Sequence, residues 1–566
     1  MGSSSKPFNP SKQKPFFLSL IFLSLTLLLL ILTFRPKPNF FAATTKRIQT
    51  LITVKNPAWF TLIAGELKIN KKIKLGLVNL NDDELDVVRG GSAEVETVEV
   101  GFQRLDSEKI SRKWEDFFPE WIDEDRKWGP PKCPEIPMPR LSEYDDLDVV
   151  VARVPCGFNY SVNGTTGIRD VFRLKVNLVV ANLAVRSGWA KSDLHRTVYV
   201  VFVGSCKPML EIFRCDDLVM RRDDYWVYKP ELGRLKQKLL MPVGSCQLAP
   251  AYSESGKETW RYTLTKSTLQ KNNQTTFQER YAYVSILHSS EAYVCGAIAL
   301  AQSIRQSNSS KDLLLLIDET IGPKSIMGLK LAGWKIRPIK RIKSPFSQPG
   351  SYNEWNYSKL RIWELIEYDK IIFVDSDLII LNNIDHLFVH PQLSASANDK
   401  VLFNSGLMVI EPSKCLFKCL TEKMAHLASY NGGDQGFLNE VFTWWHRLPK
   451  RVNYLKVFRR SAEENHDVPG DLEAIHFLGL KPWMCYRDYD CNWDMADHHI
   501  FASDSAHWRW WKVHNAMPRR LQGYCGLTKK MDSRIKKWRG RAKESRLPDG
   551  HWQIQVKDPR SRRLSG

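Results

Sequence analysis

A chain of 566 residues with 43% hydrophobic and 25% charged side chains has the composition of a folded protein long enough for more than one domain. Its net charge of +20 argues for an acidic partner. No zinc-finger spacing, basic-zipper pattern or RNP-like aromatic motif accompanies that charge, which weighs against nucleic acid. Leu527 to Gly566 carries 13 Lys or Arg against 4 Asp or Glu, so almost half of the excess sits where a solvated tail is the plain reading.

The first element is Phe16 to Phe34, an uncharged run of 19 residues. About 20 apolar residues in a helix span a bilayer, because the helix satisfies its own backbone hydrogen bonds. A cleaved signal peptide has a shorter apolar region and a small-residue cleavage site, whereas this run ends in Arg35-Pro36-Lys37-Pro38. The expectation is a cytoplasmic tail over 1–15, a retained signal anchor over 16–34 and a stem over 35–60. Lysines and arginines flank both sides, so the positive-inside rule does not orient it. Sequons at Asn159, Asn163, Asn273, Asn308 and Asn356 favour a lumenal domain. The 11 cysteines form no Cys-x-x-Cys unit, which argues against zinc. In a lumenal domain several would be disulfide-bonded, with at least one left over.

Residues 61–270 read as a globular N-terminal lumenal region of α/β character and unassigned role. Phe172 to Ala184 and Thr197 to Gly204 are expected to be strands, from their β-branched and apolar content. From Arg280 the pattern alternates. Tyr281 to Leu287 is a strand, Ala292 to Arg305 a helix and Leu313 to Ile317 a strand. Asn356 to Ile366 is a helix and Lys370 to Val374 a buried strand. Such alternation implies an α/β fold with a mostly parallel sheet, binding its ligands at the carboxyl ends of the strands. That domain is assigned to 280–510, with a basic extension over 511–566.

The sharpest chemical signal is Asp375-Ser376-Asp377, directly after the buried strand. Hard divalent cations prefer carboxylate oxygen, and a cation held there binds a diphosphate. An isolated Asp-x-Asp also occurs in ordinary turns. Further blocks follow in order: Phe403-Asn404-Ser405-Gly406, then Asp434-Gln435 after two glycines, then His476, Gly479 and Lys481. The last block combines a metal-ligand type, a residue for close backbone approach and a phosphate-binding cation; alone, His476 is as easily a packed histidine.

This ordered set resembles the glycogenin-type retaining glycosyltransferases, family eight, over roughly 280–500. The resemblance implies a GT-A fold, with a Rossmann-like mixed, mostly parallel sheet. It also implies roles for residues. Leu287, Ser289 and Tyr293 would frame uridine, with Tyr293 stacking on uracil, and Lys359 would contact the donor. Asp375, Asp377 and His476 would bind manganese, with Ser376 counted among the substrate-binding residues. Asn404 and Ser405 would lie along the donor sugar, Asp434 and Gln435 beside the anomeric carbon as the catalytic pair, and Gly479 and Lys481 at the diphosphate. The lysine follows the histidine by five residues, where glycogenin has six, so that loop must be tighter. Longer strings are similar to the plant glucuronosyltransferases that substitute xylan: Tyr352-Asn-Glu-Trp-Asn-Tyr-Ser-Lys359, Asp434 to Arg447, Lys481 to Trp493 and Asp549-Gly-His-Trp552.

That narrower resemblance implies a single-pass type II Golgi membrane enzyme that moves glucuronate from UDP-glucuronate to xylan through an α-1,2 link in cell wall synthesis. A Golgi enzyme complex or a homodimer is the expected assembly. An α donor giving an α product means retention. The acceptor hydroxyl attacks on the face of the departing phosphate, or a carboxylate, for which Asp434 is the candidate, first forms a covalent intermediate. Arg361 is the expected partner of the donor carboxylate, against a reading as a helix-surface arginine. The alternatives are a glucosyltransferase using UDP-glucose on an α-glucan, and a non-catalytic Golgi scaffold.

Overall fold

The computed structural model describes residues 58–67, 72–82, 84, 95–101, 114, 138–156, 169–189, 196–222, 224–239, 280–399, 401–458 and 466–562. The expected membrane anchor, the three sequons Asn159, Asn163 and Asn273, and most of the stem lie outside these residues. Among the described residues no helix is long and apolar enough to cross a membrane.

The N-terminal half forms one sheet from β1 (Ile73–Val78), β2 (Val95–Glu99), β3 (Val149–Arg153), β4 (Tyr199–Val203), β5 (Leu218–Arg222) and β6 (Tyr225–Tyr228), in the order β2-β1-β3-β4-β6-β5. The first four strands run parallel and the last two form an antiparallel edge. The VVVA and YVVF runs are buried on both faces, as central parallel strands require. Helix α1 (Ala58–Leu67) supplies Trp59, Phe60 and Ile63 to one face. Helix α2 (Val171–Trp189) and α3 (Leu232–Leu239) cover the other.

Helix α2 corrects the strand expected over Phe172 to Ala184. The segment is buried nearly all round, so it carries no amphipathic stripe, and its valines mimic a buried strand. Its 19 residues exceed a strand's usual length and suit a central helix. Asn177 and Asn182 donate from Nδ2 to the carbonyls of Arg173 and Leu178, each at 2.8 Å, and Asn177 Oδ1 accepts from Met209 N–H at 2.9 Å.

The second half contains β7 (Tyr281–Leu287), β8 (Asp312–Ile317), β9 (Lys335–Pro338), β10 (Lys370–Val374), β11 (Leu378–Ile380), β12 (Ser394–Ala397), β13 (Phe403–Ile410), β14 (His446–Leu448), β15 (Tyr454–Leu455) and β16 (Ala474–His476). Seven of these make a GT-A-like mixed sheet, ordered β14-β12-β13-β10-β7-β8-β9, and the other three a small sheet, β11-β16-β15. Its helices are α4 (Val294–Gln306), α5 (Pro323–Ala332), α6 (Lys414–Lys423), α7 (Asp434–Val441), α8 (Asp504–Ala516) and α9 (Lys529–Glu544). The helix expected over Asn356 to Ile366 is a 3-10 segment, Asn356–Glu364. Apolar clusters fill both faces of the large sheet.

The halves are tied together at α7 and its surroundings. Arg169 pairs with Glu440 at 3.2 Å, Arg214 with Glu411 at 2.5 Å, and Glu211 accepts from Thr443 Oγ1 at 2.9 Å. A disulfide joins Cys215 to Cys415, and three more join Cys156 to Cys206, Cys295 to Cys525 and Cys485 to Cys491. Cys419 is free, close to the first of these pairs.

The basic C-terminal stretch is folded rather than a solvated tail. Trp510 and Trp511 of α8 enter the core of the large sheet, and Ile535 of α9 is buried while Lys529, Lys530, Lys536 and Lys537 face solvent. His551 bridges Asp504 and Asp549 at 2.8 Å each and stacks on Trp493 at 4.6 Å. Burial opposes its charge, but the two carboxylates outweigh burial and hold the imidazolium up to about 9. A folded pKa above the unfolded value means that this contribution is complete below about pH 6.5 and is lost as pH rises through 9. Urea unfolding of the wild type should therefore lose about 1–3 kcal/mol between pH 6.5 and 9.5. His551→Asn should flatten that dependence; an equal slope in the variant would exclude His551 as its source.

Candidate active site

Two registers assemble the site. Strand β10 pairs antiparallel with β13, Val374 opposite Leu407, and the ladder continues as Asp375 N–H donates to the Gly406 carbonyl at 2.8 Å. The Asn404-Ser405-Gly406 run is thereby held beside Asp375. Strand β11 pairs antiparallel with β16, Leu378 opposite His476, and Phe477 N–H donates to the Asp377 carbonyl at 3.0 Å. That pairing carries the imidazole across about a hundred residues of sequence to the aspartates. Its Nε2 lies 3.3 Å from Asp377 Oδ1, and ligand atoms of Asp375, Asp377 and His476 all fall within 4.8 Å of one another.

The chemistry of these three side chains fits a hard divalent cation. His476 Nδ1 is buried without a hydrogen-bond partner among the described residues, while Nε2 faces the carboxylates. The ring can sit there because position 406 is glycine: a Cβ would lie 2.4 Å from His476 Cε1. Gly296 does the same for the opposite wall. A Cβ there would meet the Ser376 carbonyl at 2.4 Å and Trp483 at 2.5 Å, so α4 packs directly on the Asp-Ser-Asp turn.

Two lysines compensate the buried carboxylates. Lys481 Nζ lies 2.7 Å from Asp377, and Lys359 Nζ lies 3.2 Å from Asp375 and 2.7 Å from Asp434. Burial works against ionising Asp377, yet Lys481 and His476 hold its carboxyl well below the usual range. Burial pushes Asp375 up to about 6; Lys359 opposes that shift and the neighbouring Asp377 charge adds to it. Both lysines stay charged, held above the ordinary ammonium value by these carboxylates despite burial.

Asn404, Ser405, Asp434 and Gln435 are joined directly by hydrogen bonds. Ser405 Oγ donates to Asp434 Oδ2 at 2.8 Å. Gln435 Oε1 accepts from Asn404 Nδ2 at 3.2 Å and from Ser405 N–H at 3.1 Å, and its Nε2 donates to the Tyr430 hydroxyl at 2.7 Å. Leu287 ends β7 and is buried. Ser289 follows with a φ of 65° and donates its N–H to Asp318 at 2.9 Å. Tyr293 packs edge-on against Trp483, with Lys481 Nζ 5.9 Å from its ring centre. Gly479 has a φ of 74°, and a Cβ there would stand 2.5 Å from Asn492 Oδ1, which receives the Leu480 N–H at 2.8 Å. This left-handed turn accommodates the shortened spacing and lets Lys481 reach Asp377.

Arg361 is not among the convergent residues. Its guanidinium pairs with Glu364 at 2.8 Å, donates to the Lys340 carbonyl at 3.2 Å and lies over Phe417 at 5.4 Å. The surface reading holds, because Lys359 turns inward and a residue two positions on faces elsewhere. Residues absent from the sequence reading are Asn453, which donates to Asn404 Oδ1 at 3.0 Å, and Arg341, which pairs with Asp318 at 3.3 Å and lies over Trp355 at 4.3 Å. Asp318 directly follows β8, so its strand-end position was a usable signal. Nothing local marks Asn453.

Comparison with known proteins agrees in both halves. Residues 49–246 match the GUX1-5 N-terminal domain, and residues 284–485 match glycosyl transferase family 8. The chain is 54% identical over 564 residues, 98% of each chain, to the Arabidopsis thaliana protein named "Putative UDP-glucuronate:xylan alpha-glucuronosyltransferase 4". It is 49% identical over 502 residues to UDP-glucuronate:xylan alpha-glucuronosyltransferase 2 of the same plant, covering 87% of this chain and 81% of that one. With identity of this degree running through both halves, the chain is a UDP-sugar glycosyltransferase that belongs to the UDP-glucuronate:xylan alpha-glucuronosyltransferase family.

Proposed function

We propose that this protein transfers glucuronate from UDP-glucuronate to xylan, with retention, through an α-1,2 link, using a divalent metal that is manganese. The relatives' names supply the donor and the acceptor. The observation that carries the chemistry is the convergence of Asp375, Asp377 and His476, with Lys359 joining Asp375 to Asp434. A cation bound at those three side chains neutralises diphosphate charge as UDP departs. Lys481 adds a positive charge on the same side, and Tyr293 offers a ring to the base. Gln435 and Asn404 orient the sugar from a fixed hydrogen-bonded frame.

Asp434 Oδ2 carries both Ser405 Oγ and Lys359. A carboxylate so compensated is a weak nucleophile. This supports attack of the acceptor hydroxyl on the face of the departing phosphate, which takes up its proton. Asp434 then stabilises positive charge on the sugar ring. The 16–34 segment and the sequons support a type II Golgi membrane enzyme of cell wall synthesis with its catalytic domain in the lumen.

Full-length protein in detergent, given UDP-glucuronate, xylohexaose and manganese, should yield a product heavier by one glucuronyl group and α-1,2-linked by NMR. Asp377→Asn should lower the rate by at least about a thousandfold. Preference for UDP-glucose and maltohexaose would overturn the substrate assignment, and an active Asp377→Asn would overturn the metal-based one. Gly406→Ala, whose Cβ collides with the imidazole, should keep the far-UV circular dichroism and weaken manganese binding by at least about tenfold in calorimetry. Unchanged manganese affinity would remove His476 from the metal site.

A further inference from the structure

The rim of this cleft has an unusual composition. Among the described residues four aromatic side chains are strongly exposed: Phe346, Tyr352, Tyr430 and Trp508. Three of them stand on two neighbouring loops, 344–355 and 429–433. The loops are cross-tied: Ser344 Oγ donates to the Gly432 carbonyl and Asn353 Nδ2 to the Asn431 carbonyl, each at 2.6 Å. Gly432, with a φ of 69°, lets the Phe346 backbone approach to 3.2 Å from where its Cβ would lie. The rim is continuous with the reacting centre. Tyr430 receives Gln435 Nε2 at 2.7 Å, and the Tyr352 hydroxyl turns to Tyr293 on the side of Asp375 and Asp377. Tyr352 is nonetheless 78% exposed, so its ring stands at the surface rather than in the core.

In loops 344–355 and 429–433 the only charged residue is Glu354, in a chain that is 25% charged, and it is turned to Lys343 and to the Gly350 N–H. The rest are Ser, Asn, Gln, Pro, Gly and aromatic residues. An anionic ligand is poorly served by such a surface. A neutral pyranose chain is well served, since its C–H faces pack on aromatic rings and its hydroxyls meet uncharged amides. We infer that Phe346, Tyr352 and Tyr430 form the acceptor platform, on which the undecorated xylosyl residues flanking the acceptor sugar stack. The platform takes the polymer by its unsubstituted stretch, so its occupant is a run of neutral β-linked pentopyranoses. The inference rests on the glucuronate-to-xylan reading for the identity of that polymer.

The test separates the two. Full-length protein with UDP-glucuronate and manganese is assayed on xylotriose and xylohexaose, and saturation-transfer NMR with xylohexaose alone reads binding without transfer. Phe346→Ala and Tyr352→Ala should each raise KM for xylohexaose about five- to tenfold, and Phe346→Ala should leave KM for UDP-glucuronate within about twofold. Phe346→Tyr, which keeps the ring, should retain the wild-type KM. The saturation signal should fall in the alanine variants only. Alanine variants with wild-type acceptor KM and saturation signal would overturn the platform, as would a loss confined to the donor KM. A wild type that binds xylohexaose through these rings and transfers no glucuronate would overturn the functional reading and leave the platform standing.

Discussion

Two buried carboxylates, Asp377 and Asp434, a half-buried third, Asp375, two lysines and an imidazole meet at the carboxyl end of β10, and the domain is organised around keeping that charge compensated. Asp377 and Asp434 are withdrawn from water, which costs on the order of several kcal/mol per ion unless each is paired. Lys359 and Lys481 meet that requirement, Lys359 for Asp434 and Lys481 for Asp377 across long stretches of sequence. The arrangement also explains how the residues serve chemistry. The charges are held in place by one another, so the frame is set before any ligand arrives.

The N-terminal sheet contributes to the same frame from outside. Arg169 binds Glu440 and the Asn439 carbonyl, and Asn439 in turn donates to the Phe403 carbonyl. Helix α7 begins with Asp434 and Gln435, so its position is fixed from the N-terminal half and from β13 together. Cys215–Cys415 fastens the same junction through α6. A region whose role the sequence left open thus packs against the helix that carries Asp434 and Gln435.

Much of the site could be read before the fold. Asp375 and Asp377 follow the buried strand Lys370–Val374, and that coupling of strand end to paired carboxylates marks a candidate cation site without any contact information. His476 was legible only through its place in an ordered set of motifs, because its approach depends on the β11–β16 register. The lysines were legible as residues but not as partners: both were expected on the donor, and both lie on carboxylates. Arg361 failed because a 3-10 segment turns faster than the helix expected there, and spacing from Lys359 does not specify direction. Helix α2 failed because total burial erases the periodicity that distinguishes helix from strand.

The central claim is that Asp375, Asp377 and His476 close on one divalent cation beside the diphosphate. Anomalous diffraction from crystals grown with manganese and UDP tests it most directly. The account predicts a single manganese peak about 2.0–2.4 Å from a carboxylate oxygen of each aspartate and from His476 Nε2, with phosphate oxygens completing its coordination. A peak bound to the diphosphate but not to His476, or no peak between β10 and β16, would contradict it.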